Sequence, residues 1–473
     1  MIRDSQPSPA PLLPRRSFLG AMVAGGAGAV LSACSGSAGR PSSSAVRTRT
    51  TVPGMAFAGV PTTGRTAGSL PFPHLAAGTD TLPQIEHIVV VMMENHSYDN
   101  ILGMSGRGDG FRLNNGVPTA TNPDGHGNLV HAFPMPTPCQ PKSHPSNSWS
   151  ATHASYAGGR MDGFVTSASG PVSMGYFTSA DLPFTVGLAQ VFPVADRYFC
   201  SVMAQTYPNR RYLLAGTSLG LTIDTLPTVL PPNGTIFDTL NRYGIAWRNY
   251  YTNLPTAGVF LPLLKQAPIA SRLAPIASFY ADAAAGRLPA FCIVDPDYNK
   301  QSEEDPQDVQ YGDQFLGRVV NAVMDGPGWS KTLLLWTYDE SGGYYDHVPP
   351  PAAVPPDDVA PQLLPIDPPG KFDRYGLRVP SGVVSPYARK NYVSHVTYDH
   401  TSVLKLVETK WNLPALTARD ANAANLLDMV DLEAPPAFLV PPKLPSAANP
   451  VPLSGCLTTG PGVIPPPGAV TPA

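Results

Sequence analysis

An α/β fold with a mostly parallel central sheet, covered by helices on both faces, is predicted by three observations. Continuous apolar runs recur along the chain, segments of helical period separate them, and the composition can bury both. Of 473 residues, 43% are apolar and 14% are charged. That is too much apolar surface and too little charge for a solvated disordered polymer. Residues 85–93 form a nearly unbroken apolar run rich in β-branched side chains, and residues 291–294 and 332–336 are shorter examples. Continuous rather than alternating runs suit strands covered on both faces, as in a parallel sheet. Between them, residues 312–324 place Phe315, Leu316, Val319, Val320 and Val323 on one helical face. Residues 402–411 do the same with Val403, Leu404, Val407 and Trp411. Such alternation of strand and helix is the α/β pattern.

The flanks read differently. Arg15-Arg16, followed by a small-residue apolar run to Leu31, resembles a twin-arginine export signal. The run is too short to span a bilayer as a helix. Leu31-Ser32-Ala33-Cys34 resembles a bacterial lipobox, in which Cys34 is the lipid-attachment site and the mature N-terminus. Residues 1–34 are thus expected to be a lipoprotein signal and 35–84 a Ser/Thr/Pro-rich tether. Residues 85–433 are expected to be the catalytic domain and 434–473 a Pro-rich tail. The expected location is outside the cytoplasm, either in the cell envelope through the lipidated N-terminus or as a secreted protein. The chain carries 56 prolines, about twice average usage. Those in the flanks are expected to keep them extended, and residues 349–369 read as an insertion able to form a wall or lid.

Lys and Arg number 31 against 34 Asp and Glu, a net charge of −3. That balance excludes non-specific nucleic-acid binding, which needs a basic face. A monomer is expected. Beyond Cys34, the cysteines are Cys139, Cys200, Cys292 and Cys456. Four cysteines in an oxidising compartment allow two disulfides with three connectivities, although Cys292 sits in an apolar run and also reads as a buried small hydrophobe.

Two apolar strands end in acids. Residues 85–93 run into Glu94-Asn95-His96-Ser97, and residues 332–338 run into Asp339-Glu340-Ser341-Gly342-Gly343, then Tyr345-Asp346-His347. Ligands bind beyond the carboxyl ends of strands in open α/β sheets. Glu94, Asn95, Asp339 and Glu340 are therefore expected together, as oxygen donors for a divalent cation. The glycine pair would let backbone approach a ligand closely. A third element, Gln205-Thr206-Tyr207-Pro208-Asn209-Arg210, reads as a helix start with Thr206 as N-cap and Pro208 in the first turn. A hydroxyl there sees free N–H groups and the positive end of the helix dipole.

These segments carry a resemblance. Glu94-Asn95-His96-Ser97-Tyr98-Asp99-Asn100 with Gly103, Thr206-Tyr207-Pro208-Asn209-Arg210 and the run from Asp339 to Pro350 occur in one order along the chain. So do His153 with residues 158–164, Arg378-Val379-Pro380, Ser385-Pro386 and Asp399-His400-Thr401-Ser402. Together they resemble the bacterial phosphoesterase family of non-haemolytic phospholipases C and acid phosphatases, over roughly residues 85–412. The resemblance implies an alkaline-phosphatase-like fold and a divalent metal ion: calcium, zinc, magnesium or iron. It makes Glu94, Asn95, Asp339, Glu340 and Thr206 metal ligands and Thr206 the nucleophile. It makes His153 and His347 candidates for phosphate binding or acid/base work, and Asn209, Arg210, His153 and His400 substrate-binding residues.

Three positions depart from the family pattern. His96 stands where Arg is usual, Phe199 where His is usual, and residues 302–306 lack the histidine of the corresponding block. The expected activity is metal-dependent hydrolysis of phosphate esters, phospholipase C-like on phospholipid headgroups through a phospho-Thr206 intermediate. The alternatives are an acid phosphatase acting on monoesters, and a lipid-anchored binding protein that has lost catalysis.

Overall fold

Eight strands build the central sheet of the computed structural model, which describes residues 61–140, 145–450, 456 and 462–473. The export signal, Cys34 and the tether up to residue 60 lie outside the described residues. The strands are β1 (His87–Met93), β2 (Val194–Ala195), β3 (Trp247–Tyr251), β4 (Leu273–Pro275), β5 (Phe291–Val294), β6 (Thr332–Tyr338), β7 (Ser381–Val384) and β8 (Val393–Ser394). Their spatial order is β4-β3-β5-β1-β6-β7-β2-β8. All pairs are parallel except those made by β7, which runs antiparallel to β6 and β2. The expected mostly parallel sheet is therefore present. Every residue of β1 after His87 and every residue of β6 is buried, so both faces are covered and the apolar runs need no alternation.

The helices that matter for the site are α1 (Tyr98–Leu102), α2 (Trp149–Tyr156), α3 (Pro183–Val191), α4 (Thr206–Ala215), α5 (Ile276–Ala284), α6 (Val309–Asp325) and α7 (Thr401–Trp411). Helix α6 is the predicted 312–324 segment extended at its start. Asp308 caps it by accepting the Gln310 N–H at 2.9 Å. Its apolar stripe of Phe315, Leu316, Val319, Val320 and Val323 is buried, and it packs on α3 and α5. Helix α4 packs on α7.

Strand register sets the position of the acids. Val91 pairs with Trp336 and Met93 with Tyr338, so the two central parallel strands end level. The residues that leave them, Glu94 and Asp339, emerge side by side at the carboxyl edge.

The flanks are more structured than their composition suggests. Thr62 N–H donates to Asn422 O at 2.9 Å, Gly68 N–H to Ala415 O at 2.8 Å and Phe72 N–H to Asn412 Oδ1 at 2.9 Å. Residues 61–84, expected as tether, therefore lie against the body. At the other end, Trp329 donates its indole N–H to Phe438 O at 3.0 Å, and Val470–Pro472 adds an antiparallel strand beside residues 128–130. The described parts of the expected unstructured tail thus bond to the body at both of these points. A proline-rich stretch without internal hydrogen bonds can still dock through backbone carbonyls, which proline retains.

Cys139 is disulfide-bonded to Cys456, while Cys200 and Cys292 are buried free thiols. Of the two disulfides that four cysteines allow, one forms, and Cys292 is the buried small hydrophobe of the other reading. Residues 349–369 are tied down at several points. Thr217 Oγ1 donates to Asp357 at 2.6 Å, Gln362 N–H to Gly220 O at 2.7 Å, and Ser150 and Trp149 on α2 donate to Asp367 and Pro368 at 2.5 and 2.9 Å. This anchoring makes the insertion a wall beside α2. Among the described residues no helix is long and apolar enough to cross a membrane.

Candidate active site

Strand β1 delivers Glu94 and Asn95, and β6 delivers Asp339 and Glu340; all four are buried. Asn95 takes a left-handed conformation with φ 66°, which asparagine tolerates better than most residues. That turn aims its N–H at Asp339 Oδ1, 3.2 Å away, and the same oxygen accepts the Glu340 N–H at 2.7 Å. Gly342 N–H then donates to Glu340 Oε2 at 2.7 Å. Gly342 and Gly343 have φ of 64° and 82°, and a Cβ on them would lie 2.0 Å from Asn95 O and 2.6 Å from Ser146 O. The glycine pair therefore serves contact between backbones rather than the expected approach to a ligand. That contact brings in Asn147, whose Nδ2 donates to Glu340 Oε1 at 2.7 Å.

Helix α4 supplies the third side. Gln205, not Thr206, is its N-cap, and Thr206 is its first residue. Arg210, four residues on, shares a face with Thr206. Its Nε donates to Asp339 Oδ2 at 3.0 Å, and Nη2 lies 3.8 Å from Glu94 Oε1. Nη1 reaches Tyr298 Oη at 2.8 Å and Thr256 Oγ1 at 3.3 Å, and Nη2 reaches Met93 O at 3.2 Å.

Every nitrogen of the buried Arg210 guanidinium, expected to bind substrate, is bonded in this structure to the carboxylates and the loops around them. Asn209, also expected to bind substrate, has its amide bonded to backbone here. Its Oδ1 accepts Val202 N–H at 3.0 Å and its Nδ2 donates to Ala204 O at 2.9 Å, so it braces the loop before the helix. Replacing Arg210 with methionine is expected to cost about 3–5 kcal/mol, because it leaves buried carboxylates unpaired. Urea denaturation measures this.

Thr206 is 1% exposed, and its hydroxyl oxygen has no hydrogen-bond partner in the structure. A buried hydroxyl left so is costly, and its face of α4 is the one turned to Asp339 and Glu94. The next N–H, of Tyr207, donates to Asp224 Oδ1 at 2.7 Å. Burial pushes the Glu340 carboxyl well above its ordinary value, and the adjacent Asp339 charge pushes it further. Glu94, Asn95, Asp339 and Glu340 bring carboxylate and amide oxygens to the ends of β1 and β6 beside one buried guanidinium, and the Thr206 hydroxyl lies on the helix that carries that guanidinium. That chemistry fits a hard divalent cation, which would offset the excess negative charge.

Asp99, Asp346 and His347 form a second group whose ligand atoms all lie within 4.8 Å of one another. Arg378 already occupies it, bonded to Asp346 Oδ1 at 2.9 Å and Asp99 Oδ1 at 3.1 Å.

The histidines divide by partner. His400 donates from Nε2 to Asp339 O at 2.6 Å. Burial lowers its pKa to about 3, so the residue expected to bind substrate is a neutral brace for the Asp339 backbone in this structure. His96 is buried between Asn100 Oδ1 at 2.6 Å and Glu303 O at 3.1 Å, with its pKa lowered by burial to about 4. His153 donates from Nδ1 to Trp149 O at 2.8 Å. Its Nε2 faces Gly370, just past the insertion, 3.4 Å from where a Cβ on that glycine would lie. Burial lowers its pKa.

His347 contacts Asp99 Oδ2 at 2.7 Å and Asp109 Oδ1 at 3.2 Å. It belongs to the Arg378 cluster rather than to the Thr206 group. Burial pulls its pKa down, but the Asp99 hydrogen bond and charge outweigh this and the net shift is upward. A raised pKa means that the charged ring contributes stability fully below its unfolded value near 6.5 and loses it as pH rises through the folded value. His347→Gln is therefore expected to cost more stability at pH 6 than at pH 9, read from denaturation midpoints.

Asn147 and Asp224 are site residues the sequence did not announce. Each is a single polar residue in a loop, without a neighbouring motif. Only the serine-rich start of α2 and the long-range closure of the glycine pair bring Asn147 in.

The model of the Phosphoesterase family matches residues 85–414. The chain is 31% identical over 413 residues to non-specific phospholipase C6 of Arabidopsis thaliana, covering 79% of this chain and 78% of that protein. It is 30% identical over 419 residues to phospholipase C B of Mycobacterium tuberculosis, covering 75% and 79%. Among solved structures it is similar to a protein in the alkaline phosphatase superfamily from Vibrio parahaemolyticus, with TM-score 0.37, 10% identity and 78% and 72% of the two chains covered. With its carboxylate-bearing strand ends and its Thr206 helix both inside the matched span, the chain belongs to the Phosphoesterase family, a family of phosphoric ester hydrolases.

Proposed function

We propose that the protein is an exported, metal-dependent phosphoesterase that cleaves phospholipid-type phosphodiesters in the manner of a phospholipase C, through a phospho-Thr206 intermediate. The observation that carries this reading is the Thr206 hydroxyl. It is buried, without a partner, and set on the helix face that Arg210 joins to Asp339 and Glu94.

Glu94, Asn95, Asp339 and Glu340 would hold the ion beside that hydroxyl. When bound, a divalent ion polarises phosphate oxygens and lowers the pKa of a coordinated hydroxyl. Thr206 Oγ1 attacks phosphorus in line, the Oγ1–P bond forms and the bond to the alcohol leaving group breaks, with a proton going to the alcohol. Water then attacks the phospho-threonine, the Oγ1–P bond breaks and the proton returns to Thr206. Arg210 and His400 keep Asp339 in place through both steps, and Asn147 does the same for Glu340.

Export with anchorage at Cys34 accords with the Cys139–Cys456 disulfide, since such bonds persist in oxidising compartments. The test is release of phosphocholine from a phosphocholine diester, and of phosphate from a monoester, by the full chain supplied with each of calcium, zinc, magnesium and iron. Metal-dependent diester hydrolysis is expected. Saturable binding without turnover under all four metals would replace this reading with that of a binding protein.

A further inference from the structure

A third carboxylate leaves the same edge of the sheet. Strand β1 lies between β5 and β6. Val91 pairs with Val294, the last residue of β5, so Asp295 leaves β5 one strand over from Glu94. Asp295 is buried. Its Oδ2 accepts the Thr256 N–H and the Asn249 amide, each at 2.6 Å. Its Oδ1 accepts the Thr256 hydroxyl at 2.5 Å and the Tyr298 hydroxyl at 3.1 Å. Asn249, on β3, is fixed in turn, because its Oδ1 accepts the Ala257 N–H at 3.0 Å. All the groups that donate to Asp295 are neutral. Burial raises its pKa, and the Arg210 charge opposes that rise. A buried carboxylate is costly unless an opposite charge is near.

The two hydroxyls that donate to Asp295 Oδ1 are the same two that Arg210 Nη1 reaches, Tyr298 Oη at 2.8 Å and Thr256 Oγ1 at 3.3 Å. A hydroxyl can accept from a cation and donate to an anion at once. Arg210 and Asp295 are therefore an ion pair relayed through two side chains. Different nitrogens of the same guanidinium, Nε and Nη2, face Asp339 and Glu94. That division matters at a site meant for a cation. Carboxylates that bind a divalent ion give up much of their pull on a neighbouring guanidinium, and the ion repels it. Asp295 has both oxygens held by neutral donors and keeps its charge for Arg210.

Resting on the metal-dependent reading of the site, we propose that Asp295 is a positioning residue for the divalent ion. Through Tyr298 and Thr256 it anchors Arg210, and Arg210 holds Asp339 and Glu94 together as ligands. Asp295 itself touches neither ion nor substrate. The acid at the end of β5 thus serves the acids at the ends of β1 and β6. Partners that orient metal ligands from behind commonly change metal affinity by about 10- to 100-fold when removed.

The test measures binding of calcium, zinc, magnesium and iron to the full chain by calorimetry. The ion bound most tightly then serves as the probe for Asp295→Asn, Tyr298→Phe and the double variant. Phenylalanine leaves the carboxylate and its Thr256 and Asn249 bonds in place and removes one relay, so it decides the matter even where the asparagine variant does not fold. The dissociation constant is expected to rise about tenfold in each single variant. In the double variant it should rise by less than the product of the two, because both changes cut one chain of contacts. Turnover of p-nitrophenyl phosphorylcholine should recover when the ion is supplied in excess, which a loss of structure alone would not allow. An unchanged dissociation constant in either folded variant, single effects that multiply in full, or lost turnover that excess ion does not restore overturns the proposal and leaves the Thr206 reading intact. Failure of the unmodified chain to bind any of the four ions overturns the proposal and the metal-dependent reading together.

Discussion

Replacing Thr206 with alanine is expected to lower phosphoester turnover by about 10³-fold or more, the scale seen when an enzyme loses its nucleophile. The alanine variant should remain folded. Thr206 makes no side-chain hydrogen bond in the structure, and alanine is a better helix former than threonine. Loss of activity with an unchanged denaturation midpoint would therefore separate the chemical role of the hydroxyl from any structural one. Thr206→Ser should keep activity, because it restores an oxygen on the same helix face. Measuring phosphocholine release and the urea midpoint on the same preparations makes the comparison, and full activity in the alanine variant would remove Thr206 from the mechanism.

The second large effect is expected at Glu340. Glu340→Gln should lower bound metal, read by elemental analysis after dialysis, and reduce turnover by about 10²-fold, since affinity at such sites depends on the ionised ligand. Glu340 is a cleaner choice than Asp339. Removing Asp339 also takes away the acceptor of Arg210 Nε, leaving a buried guanidinium short of a partner and confounding metal loss with unfolding. Glutamine keeps the shape of Glu340, and its amide oxygen can still accept the Gly342 N–H, while its NH2 meets an Asn147 amide that can turn its own oxygen toward it. Unchanged metal content in this variant would place the cation elsewhere.

Much of this architecture was legible in the residues, for identifiable reasons. Residues 85–93 and 332–338 read as doubly covered strands because their apolar runs do not alternate, and they form the centre of the sheet as β1 and β6. The acids after them meet because parallel neighbours in register end level. Strands of two residues, such as Val194–Ala195 and Val393–Ser394, are too short to carry a period and left no trace in the pattern. The flanking segments misled because composition reports how a chain behaves alone. Docking through Asn412, Asn422 and Trp329 is a property of the partner surface.

At the site, motif spacing gave residue identities but not the direction of each donor. Arg210 and Asn209 sit where the pattern puts them, yet their hydrogen bonds point inward, to Asp339 and to the 202–205 loop. His347 follows Asp346 into the Arg378 ion-pair cluster. Asn147 and Asp224 enter only through tertiary closure, about Gly342 and Gly343 in one case and at the start of α4 in the other.

The covalent role of Thr206 is tested most directly by the stereochemical course at phosphorus, which does not require an intermediate to accumulate. Attack by Thr206 followed by attack by water is two in-line displacements, each inverting the configuration. Hydrolysis of a diester made chiral at phosphorus by oxygen isotopes and sulfur is therefore predicted to proceed with net retention. Net inversion would show a single displacement by water and would contradict the phospho-Thr206 mechanism.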